Sequence, residues 1–350
     1  MRCDVAKPLT TPNPARRTLT FVVHLTRTIP PDVSGPAPGS PVLLRDPSGL
    51  PETLAGPVVA IGNFDGLHRG HKHVIGRAGA MAARLGRPLA ILTFDPHPRA
   101  YFQPDVARFR LSAPRTQAML AATLGVDALI VLTFDAALAG LSAEAFVREV
   151  LVGRLGVAGV VAGADFHYGS RRSGSPETLR AAGARFGFAV EIVDQVAEGA
   201  MAVSSTRIRE ALAAGDIAAA NAMLGHEWFV SGPVIHGQKL GRTLGFPTAN
   251  LALDAGCGLR HGIYAVRVAH AGNTYGGVAS FGRRPTVDNG PPLLEVVLFD
   301  FSGDLYGQML TVAFLAFLRP EEKFDSLDAL VAQMNRDAEK ARAIVRQTKI

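Results

Sequence analysis

Cysteine is nearly absent: Cys3 and Cys257 stand far apart in a chain of 350 residues. Two distant thiols make neither a disulfide framework nor a metal ligand set, and they suit a reducing cytoplasm. No stretch approaches the roughly 18 consecutive apolar residues of a membrane-spanning helix, so none is expected. There is no long run of Lys or Arg either, although the formal net charge is +6. Scattered basic residues fit an ordinary basic surface, or pockets for phosphorylated small molecules, better than a nucleic-acid face. Charged residues make up only 19% of the chain against 48% hydrophobic. That balance places most of it among globular rather than disordered sequences. The length allows two domains with sizeable cores.

Residues 1–50 differ from the rest. Proline recurs there, with Gly, Ser and Thr between. Leu19 to Leu25 reads as a lone strand at most. Arg16-Arg17 hints at an export signal, but no adequate apolar region or small-residue cleavage site follows. The segment is expected to be a poorly ordered extension.

The most informative stretch is Val58-Val-Ala-Ile-Gly-Asn-Phe-Asp-Gly-Leu-His-Arg-Gly-His71. Val58 to Ile61 suits a buried strand. Gly62 and Gly66 punctuate a turn. Beyond Arg69 the apolar residues Val74, Ile75, Ala78, Met81, Ala82 and Leu85 fall near a 3.6-residue spacing, which predicts a helix. His68 and His71 therefore sit where a strand ends and a helix begins. Free backbone N–H groups and the positive dipole end favour phosphate there. Two imidazoles on one helical turn share a face and can stabilise charge in phosphoryl transfer. A zinc pair would need a third ligand that the neighbourhood lacks.

From 56 to 200, strand-like and helix-like blocks alternate. Strands are expected at Val58–Ile61, Leu89–Phe94, Ala128–Leu132, Gly159–Ala162 and Ala189–Val193. Amphipathic blocks lie near 72–85, 114–124, 142–155 and 176–187. This pattern predicts a parallel, doubly wound sheet with ligands at the carboxyl ends of its strands. Thr93-Phe-Asp-Pro-His-Pro98, Gly163-Ala-Asp-Phe-His-Tyr-Gly169 and Ser204-Ser-Thr-Arg-Ile-Arg209 follow three of those ends. The serines and Thr206 read either as a helix cap or, beside Arg209, as a second phosphate clamp. Arg171 and Arg172 read as a basic loop over the site or as plain solvated loop. Two short helices over 201–225 bridge to a second unit.

These blocks, in this order, resemble the H-x-G-H nucleotidyltransferases, in their long form the prokaryotic bifunctional riboflavin kinase/FMN adenylyltransferases (FAD synthetases). The resemblance implies ATP and phosphate contacts at Gly62, Asn63, Phe64, Asp65, His68, His71, Ser204, Ser205, Thr206 and Arg209. It implies flavin contacts at Asp95, Asp165 and Arg171. Ala202 departs from the basic residue often found there in the family.

From His226 the pattern changes to short strands with Gly-rich turns, as in an antiparallel barrel or sandwich. Strands are expected at Trp228–Val234, Thr248–Leu251, Ile263–Ala269, Tyr275–Ser280, Leu293–Phe299 and Gln308–Leu318, with a closing helix at Ser326–Arg346. Gly237, Gly241 and Gly245 permit a flap whose amides face phosphates. After Pro247, Thr248 and Asn250 share one strand face and offer hard oxygen ligands suited to Mg²⁺. Glu295, an acid inside an apolar run, lies on the solvent face or serves as a base for an alcohol; Asp300 and Asp304 are alternatives, but they lie in the following turn and read rather as turn residues.

The blocks Gly241-Arg-Thr-Leu-Gly-Phe-Pro-Thr-Ala-Asn-Leu251 and Glu295-Val-Val-Leu-Phe-Asp-Phe301 are similar to riboflavin kinase. The resemblance implies ATP contacts at Gly237, Gly241, Arg242, Gly245, Thr248 and Asn250, Mg²⁺ at the last two, and Glu295 as the base. Val297 and Ser280-Phe281-Gly282 depart from the usual residues.

The expectation is an α/β chain: a Rossmann-like parallel sheet (51–225), then a six-stranded antiparallel β-barrel with a C-terminal helix (226–350). It implies a cytoplasmic enzyme using ATP and Mg²⁺ on riboflavin, FMN and FAD, with no nucleic acid or membrane partner and with room for oligomerisation. Two rival readings stay open: adenylyl transfer to another phosphorylated acceptor, and a flavin or nucleic-acid binding protein without catalysis.

Overall fold

A computed structural model describes residues 41–106, 109–198, 201–236, 246–254, 256–282 and 292–348. The expected strand over 19–25 and the four residues Gly237, Gly241, Arg242 and Gly245 lie outside them.

The first unit is a six-stranded parallel sheet in the order β1-β4-β3-β2-β5-β6. Its strands are β1 (Val42–Arg45), β2 (Val58–Ile61), β3 (Leu89–Asp95), β4 (Ala128–Thr133), β5 (Gly159–Gly163) and β6 (Ala189–Val193). All five pairings are parallel. β2 is buried along its whole length, as a central strand covered on both faces must be. The chain passes from β2 outward to β3 and β4, then crosses back to place β5 on the other side of β2. That switch point opens a crevice at the carboxyl ends of β2 and β5.

Helices cover both faces. α1 (Arg69–Leu85) buries Ile75, Ala78, Met81 and Ala82 and stops at Gly86 in the left-handed conformation. α2 (Pro98–Phe102) and α3 (Pro114–Ala122) follow β3. α4 (Ala136–Gly140) and α5 (Ala143–Ala145) follow β4. The helix expected over 142–155 continues past α5 as a π-helical stretch, Phe146–Arg154. There Leu155 N–H reaches back five residues to the Val150 carbonyl, 3.0 Å away. The wider turn still lays Phe146, Val147, Val150 and Leu151 on the sheet. α6 (Pro176–Phe186) opens with a Ser175/Thr178 capping box.

β1 corrects the sequence reading, which left 42–45 in the unstructured extension. It pairs in parallel with β4. An edge strand with Val42 and Leu43 about half exposed carries no periodic burial signal.

A two-stranded ribbon, β7 (Ala197–Glu198) and β8 (Met201–Ala202), leads into α7 (Ser205–Ala214) and α8 (Ile217–Leu224). The second unit follows. Its strands are β9 (Phe229–Pro233), β10 (Ala249–Ala252), β11 (Gly262–His270), β12 (Asn273–Gly282), β13 (Leu293–Leu298) and β14 (Met309–Arg319). They pair antiparallel in the order β10-β13-β12-β11-β14-β9. An Ile235–Asn250 bridge joins the two outer strands and nearly closes the barrel. α9 (Leu327–Gln347) packs outside on β11, β12 and β14.

The units share a core. Phe109, Leu111, Ile208, Leu212 and Trp228 belong to one apolar cluster with the barrel interior. Trp228 donates its indole N–H to the Leu111 carbonyl (2.9 Å), so the lone tryptophan fastens barrel to sheet domain.

Candidate active sites

The loop between β2 and α1 is held in unusual backbone geometry. Phe64 (φ 44°) and Leu67 (φ 39°) are left-handed without being glycine. Such conformations cost about 1–3 kcal/mol each and persist only where surroundings over-determine them. Here the surroundings are buried. Phe64 and Leu67 are in the core, and Gly66 N–H donates to Ser112 Oγ at 2.8 Å. Thr93 donates from its hydroxyl to the Asn63 carbonyl at 3.1 Å.

Asp65 ties this loop down. Its carboxylate accepts from the N–H of Leu111 (3.2 Å) and Ser112 (3.0 Å), from the Ser112 hydroxyl (3.3 Å) and from Arg209. Arg209 also donates to the Phe109 carbonyl at 2.5 Å. The sequence reading placed Asp65 and Arg209 among the phosphate contacts. In the fold they bind each other, and Asp65 is a loop anchor. Ser112 was missed because it lies 46 residues away from Gly66 and Asp65 sits beside no local signal for it.

His68 caps α1: its Nδ1 accepts from His71 N–H at 3.3 Å. A neutral ring that accepts at Nδ1 carries its proton on Nε2. The two imidazoles stack, with centroids 3.5 Å apart and planes 16° from parallel. Phe64 meets His71 edge-on at 5.2 Å. A methyl group at Gly70 would lie 3.2 Å from the His68 ring, which explains the glycine between the two histidines. Burial pushes His68 down to about 4, with Arg209 and Lys72 adding to the shift and Asp165 opposing it. Burial, then the neighbouring His68, holds His71 well below the ordinary histidine value. His71 Nδ1 is buried without a hydrogen-bond partner among the described residues.

Asp165 follows β5 and is exposed, with its charge reaching His68 across the switch-point crevice. Around it, a Tyr168–Gly174 bridge closes the 163–174 loop, and Arg172 contacts the His167 ring. Arg171 is exposed, at φ 54°. Asp95, at the end of β3, accepts from Arg45 (3.1 Å) and Arg110 (2.8 Å). Burial opposes its charge, but those two hydrogen bonds outweigh it and keep the carboxyl below its ordinary pKa. Arg45 comes from β1, the strand that sequence reasoning missed. At the third strand end, Ser204 caps α7 by accepting from Arg207 N–H (3.3 Å). Ser205 donates to the Asp65 carbonyl (3.0 Å), and Thr206 is exposed. The cap reading thus accounts for Ser204. Gly62 N–H donates to Leu92 in the sheet ladder (3.1 Å).

Lys72, one turn into α1, donates to the Gly225 carbonyl (3.0 Å) and contacts His226 Nδ1 (3.2 Å). Burial lowers its amine to about 8. It joins the histidine helix to the start of the barrel unit.

On the barrel, strand register assembles the second cluster. Asn250 on β10 stands directly opposite Glu295 on β13, and Glu295 opposite Ser280 on β12. Directly opposed residues share a face. The alternate residues Ala249, Val296 and Ala279 are buried in the barrel core. The row Asn250–Glu295–Ser280 therefore lies on the face turned away from the barrel core, with Asn250 itself buried and Glu295 and Ser280 half-buried. Thr248 lies two residues before Asn250, and Val297 lies on Glu295's face. Among the described residues no group of three or more His, Cys, Asp or Glu is spaced to hold a metal ion, and no helix is long and apolar enough to cross a membrane.

Comparison with known proteins agrees with this division. Residues 50–207 match the family model for FAD synthetase, and residues 224–345 the one for riboflavin kinase. A bifunctional riboflavin kinase/FMN adenylyltransferase of Pseudomonas fluorescens is 44% identical over 86% of this chain and 97% of its own length. Its namesake in Haemophilus influenzae is 42% identical over 86% and 98%. The Bacillus subtilis protein of that name is 37% identical over 83% and 93%. A crystal structure titled as a macrolide-efflux protein from Streptococcus pneumoniae superposes with a TM-score of 0.76 at 32% identity, over 86% of this chain and 99% of that one. With two family models in tandem and relatives matched along nearly their whole length, the chain belongs to the bifunctional riboflavin kinase/FMN adenylyltransferase family.

Proposed function

We propose that this chain carries out two successive ATP-dependent steps on a flavin, each on its own scaffold. The barrel unit, residues 226–350, phosphorylates riboflavin to FMN. The sheet unit, 51–225, joins FMN to the adenylyl group of ATP, giving FAD and pyrophosphate. The observation that carries this reading is the coincidence of the two family matches with two separate polar clusters, one on each sheet.

In the sheet unit, His68 and His71 are the groups for the ATP phosphates. Both are neutral when unliganded, so each offers one N–H without a charge that must first be desolvated. An arriving phosphate favours their protonated forms, and the pair then stabilises charge on the phosphorus being attacked. Gly62, Asn63 and Phe64 shape the loop that presents them. Ser204, Ser205, Thr206 and the N-terminus of α7 receive the leaving pyrophosphate. Arg209, held by Asp65, adds positive charge beside His68. Asp165 and Arg171 flank the flavin; Asp95 acts through Arg45 and Arg110.

In the barrel unit, Glu295 accepts the proton of the riboflavin hydroxyl as that oxygen attacks the γ-phosphorus. Gly237, Gly241, Arg242 and Gly245 are assigned to the ATP phosphates on their sequence alone. Two oxygen donors on β10 and just before it suit a hard cation: an amide oxygen from Asn250, opposite Glu295, and a hydroxyl from Thr248. They would hold Mg²⁺, which supplies charge neutralisation at the ATP phosphates when bound. The setting is cytoplasmic, with small molecules as partners.

The test is to incubate purified protein with riboflavin, ATP and Mg²⁺ and to separate the flavins over time. FMN should appear first and FAD later. Absence of both products, with turnover of another phosphorylated acceptor instead, would overturn the reading.

A further inference from the structure

The two arginines that meet at Asp95 stand at the same edge of the sheet as the histidine loop. Thr93 and Asp95 lie two apart on β3 and share a face. On that face Thr93 donates to the Asn63 carbonyl of the loop before His68 (3.1 Å). Arg110 belongs to the segment whose next two N–H groups, on Leu111 and Ser112, hold Asp65 of the same loop. Arg45 reaches Asp95 from β1, across the intervening β4. Three remote segments thus converge beside the loop that carries the histidines.

This cluster is open where the other carboxylate–arginine pairs are sealed. The Arg45, Arg110 and Asp95 side chains are 51%, 39% and 27% exposed. Asp65 and Asp337, which brace buried structure, are 10% and 4% exposed. Ion pairs this exposed contribute little to stability, so fastening β1 is a weak account of two arginines on one acid. An apolar surface adjoins the cluster. Phe134 N–H donates to the Asp95 carbonyl (3.0 Å), and its ring meets Tyr101 and Phe102 edge-on at 5.4 and 5.8 Å. Phe102 is 64% exposed. Exposed rings beside exposed charges suit a flat ligand that is polar along one edge.

Arg45 donates to one Asp95 oxygen and Arg110 to the other. The row arginine–carboxylate–arginine is therefore donor–acceptor–donor. Its complement is acceptor–donor–acceptor, the pattern of the flavin imide edge: C2=O, N3–H and C4=O. A phosphate offers acceptors alone and would set its charge against the Asp95 carboxylate. Resting on the FMN adenylyltransferase reading, we propose that Arg45, Asp95 and Arg110 are the specificity element that reads the imide edge of the FMN ring. Asp95 aligns the two guanidinium groups and itself accepts from N3–H. The guanidinium groups donate to the two flanking carbonyls. The edge strand β1 is on this account part of the substrate site.

The test follows FAD formation by the full chain from supplied FMN and from its N3-methyl analogue. For the parent, the KM of the analogue should exceed that of FMN by about tenfold or more; in Asp95→Ala the two should fall within about twofold of each other. Arg45→Ala should raise the FMN KM by about tenfold, with kcat within a few-fold and with the ATP KM and riboflavin phosphorylation unchanged. Arg45→Lys keeps a donor without the planar fork and should recover part of that loss. Equal use of FMN and the analogue by the parent, or a discrimination that survives in Asp95→Ala, overturns the proposal. So does an unchanged FMN KM in Arg45→Ala, or a loss of both activities there with a lowered melting temperature, which marks the cluster as a strap for β1. If the unsubstituted chain makes no FAD from FMN, the adenylyltransferase reading itself fails, a result distinct from these.

Discussion

The sheet domain and the barrel each gather a cluster of polar groups, but they do so by different means. The histidine pair stands on a loop whose backbone is forced into left-handed conformations at Phe64 and Leu67. Buried partners drawn from remote positions, Asp65 with Ser112 and Arg209, hold it there. The barrel needs no such brace. Asn250, Glu295 and Ser280 line up because antiparallel register puts them opposite one another. A loop site depends on its anchors and on glycine, whereas a strand site depends on the ladder and tolerates change in its surroundings.

The largest expected effects separate the two sites. His68→Ala should cut FAD formation by about 10²–10³-fold and spare FMN formation. Glu295→Ala should do the reverse. Loss of both activities in either variant would break the comparison, because the clusters would then act as one. Asp65→Ala comes next. It leaves the Arg209 charge and two buried N–H groups without their acceptor, so it should cost about 3 kcal/mol in denaturant unfolding. A cost below about 1 kcal/mol would show the loop to be self-supporting. Acidification should act by a similar amount. His68 titrates at about 4 and His226 at about 3 in the fold, against 6.5 when unfolded. The unfolded chain therefore binds more protons below pH 6.5, and stability falls as the pH drops toward 4. Each such histidine removes about 1.4 kcal/mol per pH unit in that window. Unfolding midpoints measured from pH 7 to 5 check this, and a flat profile would contradict the buried neutral rings. The smallest effect belongs to Gly70→Ala, whose methyl presses on the His68 ring. It should slow FAD formation by roughly tenfold without altering FMN formation.

Most of the architecture was legible because its signals are local. Apolar runs such as Val58–Ile61 and Ala189–Val193 coincide with observed strands. Glycines at 86, 187, 215 and 225 stop helices where the periodicity ends. β1 was illegible since an exposed edge strand has no buried face to pattern. The π-helical stretch over 146–154 escaped too, because its apolar spacing still passes for an ordinary helix. Sequence singled out the histidines, the strand-end loops and Glu295 as candidates. It did not show that Asp65 and Arg209, both named there as candidate phosphate contacts, face each other. Arg45, Arg110 and Ser112 carry no motif of their own.

The order of residues alone determined two scaffolds, their sequence of strands and helices, and which stretches bear histidine, hydroxyl and carboxylate. Those follow from periodicity and turn chemistry, which act over a few neighbours. Only the tertiary structure decided that Asp65 clasps Arg209, that Lys72 reaches across to the barrel, and that Arg45 and Arg110 meet at Asp95. These are meetings between segments far apart in the chain. They are selected by whether buried polar groups find partners once both sheets have packed, a condition no local pattern encodes.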